Sequence, residues 1–425
     1  MRYKWGQVLL LTFLPWLISI PLQITSGYYL VVNVGVLAYV LLLCDAIIGL
    51  RPRWIEKWID LQNLYMAHGI IALFIIILSL WHLVVGKVDG LSKTLGNIAF
   101  YGMLLLCIFA IVFLTSQIQR FCPFLNGPIT KVKKIANRYH FTREVNDWLH
   151  ILFPVFILLV FFHVVTISYI RQYASFYQMF LIYSVIFAII YLYEGVIKKF
   201  QITKYTVEKV EAQPNNSYEV VMTYHSGRRL NIRGGQFIFI ATKHTKMAEY
   251  HPFSVLAVEE KGNIVRLGIR IAGDFTKQFA QAQKGEIVKV RGVYGHFVVK
   301  DATTPTVAIG GGIGITPCIS LLQSLPQESE GLLIWSRKDH CDDHMFTEEV
   351  TRLTQSHPNI KIIYHYACES GFLNEKSIAK YTNQYKVDEP YWYMCGPIPM
   401  MNDVSKELTH LGVPSKKLIT EGFIF

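Results

Sequence analysis

The seven cysteines are scattered singly, with no CxxC pair and no regular spacing. An odd, unpatterned set excludes a disulfide framework and suits a soluble region kept in reducing cytosol. RNA- or DNA-binding patterns are also missing, so the net charge of +11 reads as membrane topology and not as nucleic-acid binding. The N-terminus (Met1, Arg2, Lys4, then an apolar run) is like a signal peptide, but no small-residue cleavage site follows, so the run is expected to stay as a first span. EF-hand and SH3-type segments are absent too, and neither regulation of those kinds nor an obligatory protein partner is expected.

What is present divides in two. The 425 residues are too many for one ordinary domain. Residues 1–197 are mostly apolar runs broken by short charged patches, and residues 200–425 read as a soluble α/β protein. Six runs, near 7–24, 29–50, 66–86, 96–115, 148–170 and 176–197, have the roughly 20 apolar residues that a bilayer crossing needs. Their connections set the orientation. One side collects Arg2, Lys4, Arg51, Arg53, Lys57, Arg120, Lys131, Lys133, Lys134, Arg138, Arg143, Lys198, Lys199 and Lys204. The other has only Lys87, Lys93 and Arg171. The positive-inside bias predicts a multi-pass protein of the cell membrane, in contact with the lipid bilayer, whose N-terminus and soluble half are cytoplasmic.

Four histidines lie inside these runs, in two pairs. His68 and His82 are fourteen residues apart in the third, and His150 and His163 thirteen apart in the fifth. Both segments run in the same direction, so His68 and His150 share one level and His82 and His163 another, roughly 20 Å away at 1.5 Å per residue. Ionisable groups at bilayer depth are costly and mark function. Neutral imidazole is a usual axial ligand of haem iron, and the pattern predicts two stacked haems, on His68/His150 and on His82/His163. Fourteen residues at about 100° each return nearly to the starting face, whereas thirteen miss by about 140°. Pro154 lies between the second two, and a kink there is a means of re-aiming His163. His140 sits in a basic loop and reads as a solvated or interfacial residue.

From residue 202 to about 300 the runs are short and alternating: Ile202–Val210, Tyr218–Thr223, Gln236–Ala241, Ile264–Ile271 and Ile287–Val293. They predict a small β-barrel. Within it, His251-Pro252-Phe253-Ser254-Val255 presents an aromatic beside a serine on an extended strand, fit to flank an isoalloxazine. Arg270 precedes Gly273-Asp274-Phe275-Thr276, and an Arg, a Thr hydroxyl and helix-start amides suit a pyrophosphate. Further on, Val307–Ile309 reads as a buried strand leading into Gly310-Gly311-Gly312-Ile313-Gly314-Ile315-Thr316-Pro317 and the helical run Cys318–Leu325. A glycine-rich strand-to-helix turn brings backbone N–H groups close to a diphosphate, although its spacing is not the strict GxGxxG. Thr316 suits the N-cap and Pro317 the first turn. Strands near Leu332–Trp335, Ile360–Tyr364 and Tyr391–Met394 alternate with helices, as in a parallel sheet covered on both faces. Ser336-Arg337-Lys338 at a strand end suits a 2′-phosphate and favours NADPH over NADH. Cys395-Gly396-Pro397 puts a small thiol where a nicotinamide would lie. His340-Cys341-Asp342-Asp343-His344 has a metal-site composition but reads as a charged helix opening on which nothing else converges.

Together these residues resemble the ferric reductase and NADPH oxidase superfamily over nearly the whole chain, and the compact length resembles its bacterial NADPH oxidases. The His spacings match the family's paired haem ligands, His251–Val255 its flavin motif, and Gly310–Pro317 and Cys395–Pro397 its pyridine-nucleotide motifs. The resemblance implies a membrane α plus α/β protein: a six-helix haem bundle (1–198), a β-barrel FAD domain (199–301) and a Rossmann-like NADP domain (302–425), the last two together like ferredoxin-NADP reductase. It implies FAD, two haem b and NADPH as cofactors, and gives Phe425 the role of shielding the flavin. Molecular oxygen is the implied acceptor, yielding superoxide; a ferric chelate is the alternative. The basic residue that eukaryotic members carry at the start of the second span has no counterpart beside Tyr28 and Tyr29. A transporter or proton channel with a nucleotide-sensing domain is a third reading, and it leaves the joint flavin and nicotinamide motifs unexplained.

The orientation can be checked directly. In a cysteine-free background, Lys93→Cys should react with a membrane-impermeant maleimide on intact cells, and Lys133→Cys only after permeabilisation. The reverse pattern would invert the topology.

Overall fold

The computed structural model describes residues 4–27, 29–113, 126–138, 149–198, 202–242, 250–340, 344–385 and 387–422. Contacts divide the chain into two compact units, one running from residue 3 to 199 and one made chiefly of residues 200–425.

The first unit is helical: α1 (Trp5–Thr25), α2 (Leu30–Gly49), α3 (Leu61–Val85), α4 (Gly90–Phe113), α5 (Asn126–Arg138), α6 (Phe153–Val165) and α7 (Ala174–Leu192). Among the described residues five helices are long and apolar enough to cross a membrane: Trp5–Thr25, Leu30–Gly49, Asn63–Val85, Gly90–Val112 and Ala174–Ile197. Its core is apolar, and its surface is apolar as well. Leu10, Leu17, Ile77 and Ile189 are all exposed, while Tyr39, Ser184 and Asp45 are buried. That pattern suits an apolar solvent outside and paired polar groups within. Tyr39 and Ser184 share a hydrogen bond of 2.8 Å between α2 and α7, and Phe161 stacks on Phe180 with ring centroids 5.5 Å apart.

The expected fifth span, 148–170, is not one described helix. Leu149 and His150 are helical, Ile151 and Leu152 form a turn, and α6 restarts at Phe153; residues 139–148 lie outside the described residues. Pro154 was expected in a helix interior. It lies instead in the first turn of α6, where its missing N–H breaks no helical bond. The interruption between His150 and His163 therefore lies ahead of the proline and not at it.

In the second unit, β1 (Thr203–Gln213), β2 (Ser217–Ser226), β3 (Phe237–Ala241), β4 (His251–Glu259), β5 (Ile264–Arg270), α8 (Asp274–Phe279) and β6 (Ile287–Tyr294) come first. The six strands close into an antiparallel barrel in the order β1-β2-β5-β4-β3-β6. Tyr205, Val207, Val220, Ile238, Val265 and Val288 fill it, because alternate side chains of each strand share a face.

The chain continues as β7 (Thr306–Gly311), α9 (Ile315–Gln323), β8 (Gly331–Arg337), α10 (Thr347–Ser356), β9 (Ile360–Tyr366), α11 (Glu375–Gln384), β10 (Tyr391–Cys395), α12 (Ile398–His410) and β11 (Leu418–Glu421). The sheet order is β11-β10-β7-β8-β9, with every pairing parallel. All of β7 is buried, as a strand covered on both faces must be. α9 packs between sheet and barrel: Ile315, Ile319 and Leu322 share a core with Leu256 of β4 and Leu333 of β8. A charged cluster ties the same parts together. Arg266 of β5 reaches Glu219 at 3.0 Å and Glu259 at 2.9 Å, and Arg352 of α10 reaches Glu259 at 2.8 Å. Burial opposes charge on Glu259, but the bonds from Arg266 and Arg352 hold its carboxyl below its ordinary range.

Leu333 is fully buried in this core. Leu333→Ala should cost about 2–5 kcal/mol of the unit's stability in chemical denaturation. A change below about 0.5 kcal/mol is what a surface position gives and would contradict the packing.

Candidate functional site

The four histidines of the apolar unit meet in the expected pairs. The ring centroids of His68 and His150 are 6.0 Å apart with planes at 76°. Those of His82 and His163 are 6.3 Å apart at 87°. Two imidazole–metal bonds of about 2 Å each, added to the half-widths of two five-membered rings, come to about 6 Å. Each pair therefore has the spacing to bind one metal ion between its rings.

The rest of the bundle holds the rings in the ligating state. His82 Nδ1 donates to Val31 O at 2.9 Å, and His163 Nδ1 donates to Ser92 O at 2.7 Å. A carbonyl only accepts, so both rings carry the proton on Nδ1 and leave Nε2 as the ligand. His68 Nδ1 bonds Asp45 Oδ1 at 2.9 Å. His150 rests against Phe153, ring centroids 4.9 Å apart. Glycines give the rings room. A Cβ on Gly35 would lie 2.7 Å from the His82 ring, one on Gly96 2.8 Å from that of His163, and one on Gly49 3.5 Å from that of His68.

α2 thus repeats the interval of α3. Val31 and Gly35 serve His82, and fourteen residues on Asp45 and Gly49 serve His68. Within each set the two residues are four apart and share a helix face. These donors, tautomers and glycine clearances suit a metal ion, or a metal-bearing cofactor, held between the rings of each pair.

At the end of the bundle that carries His82 and His163, Tyr29 lies edge-on to Tyr169. Tyr169 and Tyr173 share a hydroxyl hydrogen bond of 2.6 Å. Arg171 lies between them in sequence, its guanidinium donating to Val165 O at 2.8 and 3.0 Å. Tyr28 is outside the described residues.

In the second unit the sequence motifs converge. His251–Val255 opens β4 beside β3. The His251 ring stacks on Phe275 at 4.1 Å, and Phe253 stacks on the same ring at 5.6 Å, which joins this motif to Gly273–Thr276. The Thr276 hydroxyl is used locally: it accepts the N–H groups of Ala272 and Gly273 and donates to Gly273 O. Arg270, at the end of β5, approaches the glycine-rich turn. A Cβ on Gly312, whose φ is +54°, would lie 3.3 Å from its guanidinium. Cys395 is paired in register with Gly310. A Cβ on Gly314 would lie 2.5 Å from Cys395 O, and one on Gly396 3.1 Å from the Gly311 backbone. Only glycines allow the turn and the end of β10 to touch. Burial pushes the Cys395 thiol well above its ordinary range.

Two local expectations change. The helix after the turn begins at Ile315 with Gly314 as N-cap, and Thr316 donates back to Ile313 O at 3.0 Å. Arg337 is buried, its guanidinium 4.0 Å from the Trp335 ring and 4.4 Å from that of Tyr364. Ser336 is half-buried and Lys338 is exposed at the same strand end. His340 stacks on Tyr366 and bonds Glu369 at 2.9 Å; Cys341, Asp342, Asp343, His140 and Phe425 lie outside the described residues. Sequence reasoning missed Asp45, Val31, Ser92 and the three glycines. Asp45 had a signal, as one of two acidic residues within the six apolar runs, the other being Glu194. The backbone carbonyls had none.

Residues 202–314 match the family model described as FAD-binding domain, and residues 308–406 match that described as oxidoreductase NAD-binding domain. Flavohemoprotein B of Dictyostelium discoideum is 33% identical over 149 residues, covering 33% of this chain and 35% of its own. A component of the Na(+)-translocating NADH-quinone reductase of Pseudomonas aeruginosa is 30% identical over 191 residues, 39% of this chain and 46% of its own. This chain thus spans less than half the length of either relative. Among solved structures, the flavohem-like FAD/NAD binding domain of nitric oxide dioxygenase from Vibrio cholerae is 19% identical with a TM-score of 0.43, covering 52% of this chain and 98% of that one. The second unit therefore carries an FAD-binding domain followed by an oxidoreductase NAD-binding domain.

Gly314→Ala would drive a Cβ into the Cys395 carbonyl. It should raise the KM for reduced nicotinamide nucleotide about tenfold, equivalent to 1.4 kcal/mol, when turnover is read with ferricyanide. An unchanged KM would remove the glycine turn from nucleotide binding.

Proposed function

We propose that this chain is a transmembrane NADPH oxidase of bacterial type, which moves electrons from cytoplasmic NADPH to oxygen on the outside and releases superoxide. The observation that carries the reading is the pairing of four histidines of the apolar helical unit at metal-bridging distance, in one chain with an FAD-binding and an NAD-binding domain. The chemistry the bound groups supply is electron transfer from reduced nicotinamide through FAD and two b-type haems.

The protein's share is binding and orientation. His68 with His150, and His82 with His163, hold the two irons. Bound there, the groups would supply electron transfer, and no side chain would need to act as a proton acid or a nucleophile. Arg270 and the amides of Gly310–Gly314 hold phosphates, Phe253 and Ser254 flank the flavin, and Cys395–Pro397 receives the nicotinamide. Phe425 covers the flavin, on the family resemblance. With Arg337 held between aromatic rings, the 2′-phosphate contact falls to Ser336 and Lys338. The second reading is an outward ferric-chelate reductase with the same path. It is favoured by the start of the second span, where Tyr29 belongs to a phenol cluster and supplies no cation.

The test is an anaerobic absorbance spectrum of purified full-length protein before and after NADPH, followed by air and a dismutase-sensitive probe. Reduced b-type bands that reoxidise with superoxide release support the oxidase. Reduction without superoxide points to the chelate, and absence of haem bands after expression with haem sinks both. His82→Leu should keep NADPH-driven flavin reduction and lose one haem together with all external reduction. Retention of both haems would overturn the ligand assignment.

A further inference from the structure

The two candidate haem sites are not equivalent in what stands behind their histidines. The outer pair leans on neutral backbone carbonyls, Val31 O for His82 and Ser92 O for His163. The inner pair leans on a side chain: Asp45 Oδ1 lies 2.9 Å from His68 Nδ1, and the Asp45 side chain is 8% exposed. It is carried to that place by α2, one turn before the Gly49 that packs on the same ring. An acidic residue within an apolar span is costly to keep, and its partner names its task.

We infer that Asp45 is a positioning residue that holds His68 and sets the inner haem at the lower of the two reduction potentials, so that electrons run downhill from the inner site to the outer one. The inference rests on the two-haem reading above. A carboxylate accepting the Nδ1–H makes the imidazole a stronger donor through Nε2 than a carbonyl does. Stronger donation, with negative charge close by in a medium of low dielectric, stabilises ferric over ferrous iron. The outer iron's neighbours supply no such charge through their Nδ1 bonds, so the two sites differ in the direction that the electron flow requires. The same bond fixes the tautomer of His68, as the carbonyls do for His82 and His163.

The experiment is a spectroelectrochemical titration of the full-length, haem-loaded protein and of two variants. Asp45→Asn keeps an oxygen acceptor for His68 and removes the charge. It should retain both haems, shift the lower midpoint potential upward, leave the higher one in place, and slow NADPH-driven reduction of the outer haem more than that of the flavin. His82→Leu, which removes the outer haem, tests the same assignment without touching Asp45: the haem that remains should titrate at the lower wild-type potential. Unchanged potentials in Asp45→Asn with both haems bound would overturn the inference, as would a remaining haem in His82→Leu that titrates at the higher value. If Asp45→Asn does not load haem, the His82→Leu titration decides alone. A wild-type protein that binds no haem, or only one, would instead overturn the two-haem reading itself.

Discussion

A buried imidazole N–H in an apolar medium has to meet an acceptor, and much of the first unit follows from that requirement. Where water is excluded, a ring nitrogen that donates must find a protein oxygen. For His82 and His163 the oxygens are the carbonyls of Val31 and Ser92, near the starts of α2 and α4. For His68 it is the Asp45 carboxylate. Each bond chooses a tautomer and fixes its ring, and the paired rings stand 6.0 and 6.3 Å apart. The close approach of helices that these bonds demand also explains why Gly35 and Gly96 cannot bear a side chain without displacing a ring.

The second unit meets a different constraint, that of bringing two nucleotide-sized ligands together. A barrel and a parallel sheet each close on their own pattern of buried residues, yet the expected binding residues lie on both. α9 and the Arg266 cluster hold the two layers in one core. Arg270 of the barrel then reaches the Gly312 turn of the sheet. Cys395 and Gly310, at the ends of adjacent parallel strands, stand beside the crevice at the carboxyl ends of strands where open α/β sheets bind ligands.

Much of the fold was legible because burial leaves a period in the chain. The alternating runs became the barrel, the short apolar runs became the parallel strands, and the long ones became helices. Motifs made of distinctive residue types were legible as well: the His pairs, which do meet, His251–Val255, which opens β4, and the glycine-rich turn after β7. Residues whose roles depend on approach were not. Val31 and Ser92 contribute a backbone oxygen that every residue type possesses. Arg337 reads as an exposed basic turn, whereas its guanidinium lies against the rings of Trp335 and Tyr364 and donates to the Tyr366 hydroxyl.

The sequence by itself therefore determined which segments are apolar, at which two levels the histidines stand, and that flavin and nucleotide motifs follow them. These are matters of composition and one-dimensional spacing. The tertiary structure alone decided that the segment from His150 to His163 is interrupted by a turn at Ile151–Leu152, ahead of Pro154. It also decided that Asp45 belongs to His68. A hydrogen bond of 2.9 Å between residues twenty-three apart exists only once α2 and α3 are packed, and no local periodicity records which of a helix's faces its neighbour will choose.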